Sequence, residues 1–172
     1  THPYLRLCLL ASNHVQSLAA GEADIAIRFA RPDRGDLVSR KLGTETFGFY
    51  RAMTLDLHED VPWLGVAGTI ARIPEQRHAE RVFASRPPRL LVEDLESLGI
   101  AIRAGLGVGI LPRRWAATLN DICEFDPAIL GTSERSAITP RDFWMVVHRS
   151  KQRLPRVRAV IEWLERVFHD SV

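Results

Sequence analysis

The amino-acid sequence predicts an α/β fold, and its first 30 residues already show the pattern. Tyr4–Ala11 has apolar side chains on both faces of an extended chain, which is typical of a strand covered on both sides. A short helix capped by Ser12 or Asn13 and ended by Gly21 is predicted next, followed by a second strand at Ala23–Phe29. This strand–helix–strand unit predicts parallel pairing with a right-handed crossover.

The middle of the chain is predicted to be rich in strands. The predicted extended segments are Leu37–Leu42, Thr46–Met53, Trp63–Ala67, Arg81–Ser85 and Arg89–Val92. Gly43 separates the first two segments, which have the character of a crossing between two lobes. Pro87 and Pro88 separate the last two segments, because proline cannot donate a backbone hydrogen bond.

Helices and strands alternate again beyond residue 93. Asp94 is predicted to cap a helix that ends at Ala104 and Gly105, and a buried strand at Gly107–Leu111 is closed by Pro112. The remaining predicted elements are a helix at Arg113–Leu119, strands at Ile122–Phe125 and Phe143–His148, and an amphipathic helix at Leu154–Phe168.

The composition is that of an ordinary soluble domain. Of its 172 residues 46% are hydrophobic and 26% charged, and no segment approaches the roughly 18 apolar residues of a membrane span. With 23 Lys and Arg against 21 Asp and Glu, the net charge of +2 is too balanced for a surface that covers DNA phosphates. We therefore expect neither a membrane protein, nor a disulfide-stapled miniprotein, nor a chain that binds DNA by itself.

No catalytic or metal-binding constellation is visible in the sequence. Cys8 and Cys123 lie in apolar runs without a second ligand nearby, which predicts buried thiols in a reducing compartment. The six histidines are scattered, and neither a Gly-x-Ser-x-Gly nor a Ser-x-x-Lys motif occurs. We therefore expect no enzyme activity, no metal and no cofactor.

Three glycines superficially resemble a phosphate-binding loop. Gly105, Gly107 and Gly109 follow a helix and precede a strand, however, which is the reverse of the order in a dinucleotide-binding loop. The predicted roles are a left-handed helix stop at Gly105 and close packing at Gly107 and Gly109.

Three local patterns resemble one known family. Residues 21–29 (Gly-Glu-Ala-Asp-Ile-Ala-Ile-Arg-Phe) are similar to its GxxDxAI strand, and residues 104–112 (Ala-Gly-Leu-Gly-Val-Gly-Ile-Leu-Pro) to its AGLGIxxLP motif. Residues 144–149 and 154–164 are similar to its final strand and helix. Almost the whole sequence thus resembles the effector-binding regulatory domain of LysR-type transcriptional regulators.

The resemblance implies a two-lobe fold of the periplasmic-binding-protein type, with a ligand cleft between lobes joined by two crossing strands. Lobe I would contain residues 1–45 and 139–172, and lobe II residues 46–138. Family members also carry a winged helix-turn-helix and a linker helix, and their regulatory domain opens with one more strand and helix. These parts have no counterpart in this sequence, so we expect a regulatory domain with an unfinished sheet.

Candidate effector contacts follow predicted strands. Ser12 and Asn13 open a helix, where they either bind a carboxylate or simply cap, and Phe29 is either a pocket side chain or a core aromatic. Gly68 and Thr69 form either a ligand-binding loop or an ordinary turn. Asp94 caps a helix, and contact with a cationic effector is the alternative.

The function implied by the resemblance is that of a cytoplasmic sensor, in which a small organic anion shifts the oligomer geometry of a transcriptional regulator. Self-association to dimers, and to tetramers in the full-length regulator, is expected, whereas DNA is contacted only through the helix-turn-helix domain. The competing hypothesis is a transporter's solute-binding protein, which shares the two-lobe topology. The AGLGVGILP segment and the two unpaired cysteines favour the regulator.

Overall fold

The computed structural model describes residues 3–13, 17–32, 35–58, 60–83, 86–131 and 137–169. The chain forms two compact units: unit 1 contains residues 1–44 and 141–172, and unit 2 contains residues 45–140. Within the described ranges, no helix is long and apolar enough to cross a membrane.

Strands and helices alternate along most of the chain. The strands are β1 (Ile25–Arg28), β2 (Leu37–Glu45), β3 (Phe47–Ala52), β4 (Leu64–Val66), β5 (Leu90–Val92), β6 (Gly109–Pro112), β7 (Ile122–Glu124) and β8 (Arg141–His148). The α-helices are α1 (Pro74–Val82), α2 (Leu95–Arg103), α3 (Arg113–Ala116) and α4 (Pro155–His169), and short 3-10 helices occur at Gly68–Ile70 and Pro127–Leu130.

Unit 1 is a three-stranded sheet covered by α4. The strand order is β1-β8-β2, and β1 pairs with β8 in antiparallel register. Val157, Ile161 and Leu164 recur along one face of α4 and pack on Met145 and Val147 of the central strand. This spacing confirms the amphipathic helix predicted at the end of the chain.

The strand predicted at Tyr4–Ala11 is wrong. Residues 3–12 have no regular secondary structure, and the side chains of Tyr4 and Leu9 are 97% and 95% exposed. A strand needs hydrogen bonds to a neighbour, and none of the described residues pairs with this segment, so the parallel unit with β1 is not observed either. Cys8 is therefore exposed rather than buried, and Cys123 is only half-buried.

The glycine stop predicted at Gly21 is confirmed. Gly21 has a φ of 81°, and its N–H donates to the carbonyl oxygen of Leu18 while the N–H of Glu22 donates to that of Ser17. This pair of bonds is the Schellman pattern that ends helices. The body of the predicted helix includes residues 14–16, which lie outside the described residues.

Gly43 does not separate two strands, contrary to the prediction. Strand β2 runs through it to Glu45, and the break lies at Thr46. A Cβ at Gly43 would lie 2.9 Å from Cζ of Phe143. The missing side chain makes room for an aromatic ring of β8, and the backbone remains extended.

Unit 2 contains strands β4 and β5 beside the sheet β6-β3-β7. A parallel bridge between Trp63 and Val108 joins the two parts. The N–H of Leu64 donates to the carbonyl oxygen of Val108, and the N–H of Val108 donates to that of Pro62, both at 2.8 Å. The predicted strands at 63–67, 89–92, 107–111 and 122–125 thus form within one or two residues of their predicted ends.

A helix covers each face of these strands. On one face, Ala79 and Val82 of α1 and the following Phe83 pack against Phe47 and Phe49 of β3. On the other face, α2 packs against Tyr50 of β3 with Leu98, Ala101 and Ile102. Successive β3 side chains point to opposite faces, so one strand contributes to both cores.

Helix α1 was not predicted, and the strand predicted at Arg81–Ser85 is wrong in its described part. The buried face of α1 is largely polar, since Glu75, Gln76 and His78 are each at most 5% exposed. Oε1 of Gln76 accepts the N–H of Val66 at 2.8 Å, which satisfies both groups. Because these buried residues are not apolar, hydrophobic periodicity could not reveal the helix.

The segment from α2 to β6 behaves as predicted. Gly105 has a φ of 73°, and the N–H of Leu106 donates to the carbonyl oxygen of Ala101. A Cβ at Gly107 would lie 2.6 Å from the carbonyl oxygen of Pro62, and one at Gly109 would lie 2.9 Å from Cδ1 of Ile102. The helix stop at Gly105 and the close packing at Gly107 and Gly109 are therefore confirmed. The next helix, α3, is shorter than predicted and has Pro112 as its N-cap residue.

We expect Gly107→Ala to lower the free energy of unfolding by about 3 kcal/mol, since backbone atoms must move to admit the methyl group. Gly105→Ala is the matched control: its Cβ meets nothing within 4 Å, so only the left-handed φ is penalised, by about 1 kcal/mol. Urea denaturation of both variants measures the difference. Equal losses would contradict the close approach at Gly107.

Candidate functional site

In unit 2, two parallel strands end side by side. Val66, the last residue of β4, lies opposite Val92, the last residue of β5. The N–H of Ala67 donates to the carbonyl oxygen of Val92 at 2.8 Å and extends the pairing. The 3-10 helix Gly68–Ile70 and Asp94 therefore follow the same sheet edge. Ligands of open α/β sheets bind at such carboxyl ends.

The loop after β4 brings the predicted residues Gly68 and Thr69 to this edge. Gly68 has a φ of 61°, and a Cβ there would lie 3.1 Å from the carboxylate carbon of Glu93. The left-handed φ favours glycine at this position, and the close neighbour is a side chain of the protein itself. Thr69 is exposed, and ligand contact by these two residues remains a prediction.

Asp94 is the N-cap of α2, as predicted. Its carboxylate accepts the backbone N–H of Ser97 at 2.7 Å and the hydroxyl of Ser97 at 2.8 Å. These bonds, first the backbone one and then the hydroxyl, lower the pKa of Asp94 from its ordinary value. The side chain is therefore an anion at neutral pH, fixed at the sheet edge beside Gly68 and Thr69.

A groove of about 670 Å³ lies entirely within unit 2. Its aromatic lining comes from Phe47, Phe49 and Phe125, and its polar lining includes His78 and Arg113. Further lining residues are Thr46, Gly48, Glu124, Asp126, Pro127, Ala128, Ala137, Ile138 and Pro140. Sequence analysis missed this groove, because its residues come from distant segments that were assigned as ordinary strands and loops.

An ion pair lies in this groove. Nη1 of Arg113 donates to Oε2 of Glu124 at 2.8 Å, and Nη2 donates to the other carboxylate oxygen. The hydrogen bonds from Arg113 lower the pKa of Glu124, while those to Glu124 raise the pKa of Arg113. Burial raises the pKa of the neighbouring Tyr50. At neutral pH the guanidinium and the carboxylate that line the groove are therefore both charged and paired, and the phenol beside them is neutral.

In unit 1, Phe29 follows β1 and is 39% exposed. Its ring contacts Phe143 edge to face, with 6.3 Å between ring centroids. Cζ of Arg141 lies 4.3 Å from the centre of the Phe29 ring, and Cζ of Arg31 lies 5.2 Å from that of Trp144. Phe29 is thus part of an aromatic and cationic cluster at the end of β1, a cluster that sequence analysis did not foresee.

Ser12 and Asn13 belong to the exposed N-terminal segment of unit 1. Both have polar interactions in the structure, and the helix that they were expected to open includes residues outside the described part. Of the six predicted contacts, the structure brings three together at one edge of unit 2: Gly68, Thr69 and Asp94. The ligand roles of Ser12 and Asn13 remain predictions.

Metal binding has no support among the described residues. No group of three or more His, Cys, Asp or Glu side chains within the described ranges is arranged to hold a metal ion.

Comparisons with known proteins identify one family. Residues 1–169 match the model of the LysR substrate binding domain. The sequence is 26% identical over 174 residues to the Mau operon transcriptional activator of Paracoccus denitrificans, covering 99% of this chain and 57% of that protein. The chain thus spans somewhat over half of this curated relative.

Solved structures share the fold. The regulatory domain of CrgA, a LysR-type transcriptional regulator from Neisseria meningitidis, superposes with a TM-score of 0.73 at 17% identity, over 97% of this chain and 86% of that one. The AmpR effector-binding domain from Citrobacter freundii gives a TM-score of 0.70 at 20% identity, over 98% and 86%. The mixed α/β fold with two units is therefore that of such domains.

We expect the Arg113–Glu124 pair to stabilise the protein at neutral pH and not at low pH. Because the pKa of Glu124 is lowered on folding, its contribution is present above the ordinary value of 4.5 and is lost as the pH falls through the folded pKa. Both side chains are about half exposed, so the coupling free energy is about 1 kcal/mol or less.

A double-mutant cycle of Arg113→Met and Glu124→Gln, followed by urea denaturation at pH 7 and pH 3, measures this coupling. A coupling of equal size at both pH values would contradict the prediction that the pair stabilises the protein only while Glu124 is ionised.

Proposed function

The chain belongs to the LysR substrate-binding domain family, and from this we propose that it is the effector-sensing domain of a LysR-type transcriptional regulator. The observation that supports this most strongly is the family match, which covers residues 1–169 of the 172 residues. Residues 1–45 and 139–172 then form regulatory lobe I, and residues 46–138 form regulatory lobe II.

The proposed mechanism is a population shift. An effector that binds one arrangement of the regulator more tightly than another shifts the equilibrium by its difference in affinity. The regulator's DNA contacts are made by a winged helix-turn-helix, and the dimers and tetramers formed by the regulatory domains set its geometry on DNA. Such a regulator works in the cytoplasm.

The proposed effector contacts are Ser12, Asn13 and Phe29 in unit 1 and Gly68, Thr69 and Asp94 in unit 2. Thr69 is an exposed residue and Phe29 is 39% exposed, which supports their place among these contacts. We propose a small organic anion as the effector, bound through hydroxyl and backbone N–H donors.

Two other functions have less support. The relatives are transcriptional regulators, which favours a sensor over a transporter's solute-binding protein. An enzyme needs an activated nucleophile, a general base or a metal, and no such arrangement was recognised in the sequence. We therefore propose that the domain binds its ligand without turning it over.

We expect one or more compounds in a panel of small carboxylates, amino acids and aromatic acids to raise the melting temperature. At a hundredfold excess over the dissociation constant, binding stabilises the folded state by about 2.7 kcal/mol. The double variant Ser12→Ala/Thr69→Ala should lose most of this stabilisation, because both hydroxyl donors are removed.

The matched control is Ser150→Ala/Thr118→Ala, which removes two hydroxyls that bond locally to His148 and to the carbonyl oxygen of Trp115. Equal stabilisation of the wild type and the Ser12/Thr69 variant would show that these residues do not bind the ligand. A panel without any stabilising compound would count against the effector-sensing function itself.

We expect the protein to self-associate through unit 1. Ile27 on β1 is 47% exposed and Trp163 on α4 is 46% exposed, and β1 has no described partner strand on its outer edge. Sedimentation velocity at tens of micromolar should detect dimers, and Ile27→Lys should shift them towards monomers. Ile100→Lys, at a 60% exposed site on α2, is the control. A monodisperse wild-type monomer would contradict this prediction.

A further inference from the structure

The groove in unit 2 has an aromatic wall whose shape is fixed by packing. The rings of Phe49 and Phe125 contact each other edge to face, with 6.4 Å between their centroids. The Phe49 ring also contacts His78 at 5.7 Å and Phe83 at 6.0 Å. Phe47, Phe49 and Phe125 are each at most 7% exposed, so the core holds these rings in place where they line the groove. A ligand in the groove therefore meets a preformed apolar wall, as in small-molecule sites generally.

The arginine beside this wall is neutralised within the protein. Both carboxylate oxygens of Glu124 accept hydrogen bonds from the guanidinium of Arg113. The same guanidinium lies against the backbone of Gly48, since a Cβ there would be 3.3 Å from Nη2 of Arg113. Arg113 is therefore held by a carboxylate of the protein and does not make the groove attractive to an anion.

The imidazole of His78 adds no positive charge to the groove. Nδ1 of His78 lies 3.3 Å from Nη2 of Arg81, which is itself outside the groove lining. A guanidinium has donors only, so Nδ1 of His78 is the acceptor and bears no proton. An imidazole with one unprotonated nitrogen is the neutral form of the ring, since both nitrogens carry a proton in the cation.

Asp126 gives the groove an excess of negative charge. Its Oδ1 accepts the N–H of Ala128 at 2.9 Å and caps the 3-10 helix Pro127–Leu130. The other carboxylate oxygen, Oδ2, has no hydrogen bond or ion pair with any of the described residues. The lining thus contains one guanidinium, from Arg113, and two carboxylates, from Glu124 and Asp126. The remaining charge favours a cation.

We propose that this groove is a second ligand site and that it binds an organic ammonium ion with an apolar body. The ammonium group pairs with Oδ2 of Asp126, and the apolar body lies along the aromatic wall. The volume of about 670 Å³ falls in the range of small-molecule sites, roughly 300–1,000 Å³. The inference does not depend on the proposed sensing function, because none of the groove residues is among the proposed effector contacts.

The first measurement compares ligands of similar size that differ in charge. Phenethylamine, 2-phenylethanol and phenylacetate are titrated into the purified protein up to about 10 mM and followed by NMR, and ethylamine tests whether the ring is needed. We expect phenethylamine to bind about threefold more tightly than 2-phenylethanol, because pairing with an exposed carboxylate contributes little. Ethylamine should bind more weakly than phenethylamine, since it lacks the apolar body that contacts the aromatic wall.

One pair of variants tests the charge. Asp126→Asn keeps an oxygen that can cap the 3-10 helix but removes the negative charge, so phenethylamine should bind no better than 2-phenylethanol. Asp60→Asn is the matched control, because it removes one negative charge from a side chain that is 98% exposed and outside the groove. It should leave the preference for phenethylamine unchanged.

A second pair of variants tests the location. Ala128→Trp places a large ring in the groove from an exposed position and should weaken both aromatic ligands about tenfold or more. Ala117→Trp is its control, since Ala117 is exposed at the end of α3 and outside the groove. Circular dichroism and urea midpoints establish that each variant is folded, and Ala128→Leu takes the place of Ala128→Trp if the larger ring unfolds the protein.

Each contrary outcome overturns a stated part of the inference. Phenethylamine binding that is unchanged in Ala128→Trp, or reduced equally in Ala117→Trp, overturns the location. Equal binding of phenethylamine and 2-phenylethanol overturns the choice of a cation, as does phenylacetate binding that is tighter and also weakened by Ala128→Trp. If no probe binds at the highest concentration, the groove is not a ligand site. The sensing function is judged separately, by the carboxylate panel and the Ser12/Thr69 variant.

Discussion

The close passage of Gly107 over Pro62 determines how the strands of unit 2 are joined. With no side chain at residue 107, Val108 can donate to the carbonyl oxygen of Pro62 and accept from Leu64. This bridge places β6 beside β4, so the sheet β6-β3-β7 continues into β4 and β5. The parallel pairing of β4 with β5 forms the shared carboxyl edge, and the bridge at Val108 joins this pair to β6 through backbone bonds that a larger residue at 107 would break.

The edge that results is built mostly from internal contacts. Gly68 has a left-handed φ of 61° and lies close to the side chain of Glu93, and both carboxylate oxygens of Asp94 accept hydrogen bonds from Ser97. Thr69, the next residue of this edge, is exposed. Gly68 and Asp94 therefore each have a structural role at this edge, as a left-handed turn residue and as a helix cap.

Charged side chains are held in different ways in the two units. In unit 2 the groove cation Arg113 is paired with Glu124, and the nearby edge holds the anion Asp94. In unit 1 the guanidinium of Arg141 lies over the aromatic ring of Phe29.

The sequence by itself determined the elements whose signals are local. The cap at Asp94, the stops at Gly21 and Gly105 and the apolar stripe of α4 depend on hydrogen bonds or spacings within a few residues. Tertiary structure decided the rest. Tyr4–Ala11 has the composition of a strand but no described partner to pair with, and α1 buries Gln76 because Val66, ten residues away, supplies a donor. The contact of Arg141 with Phe29 joins segments over one hundred residues apart, and only the register of β1 on β8 brings them together.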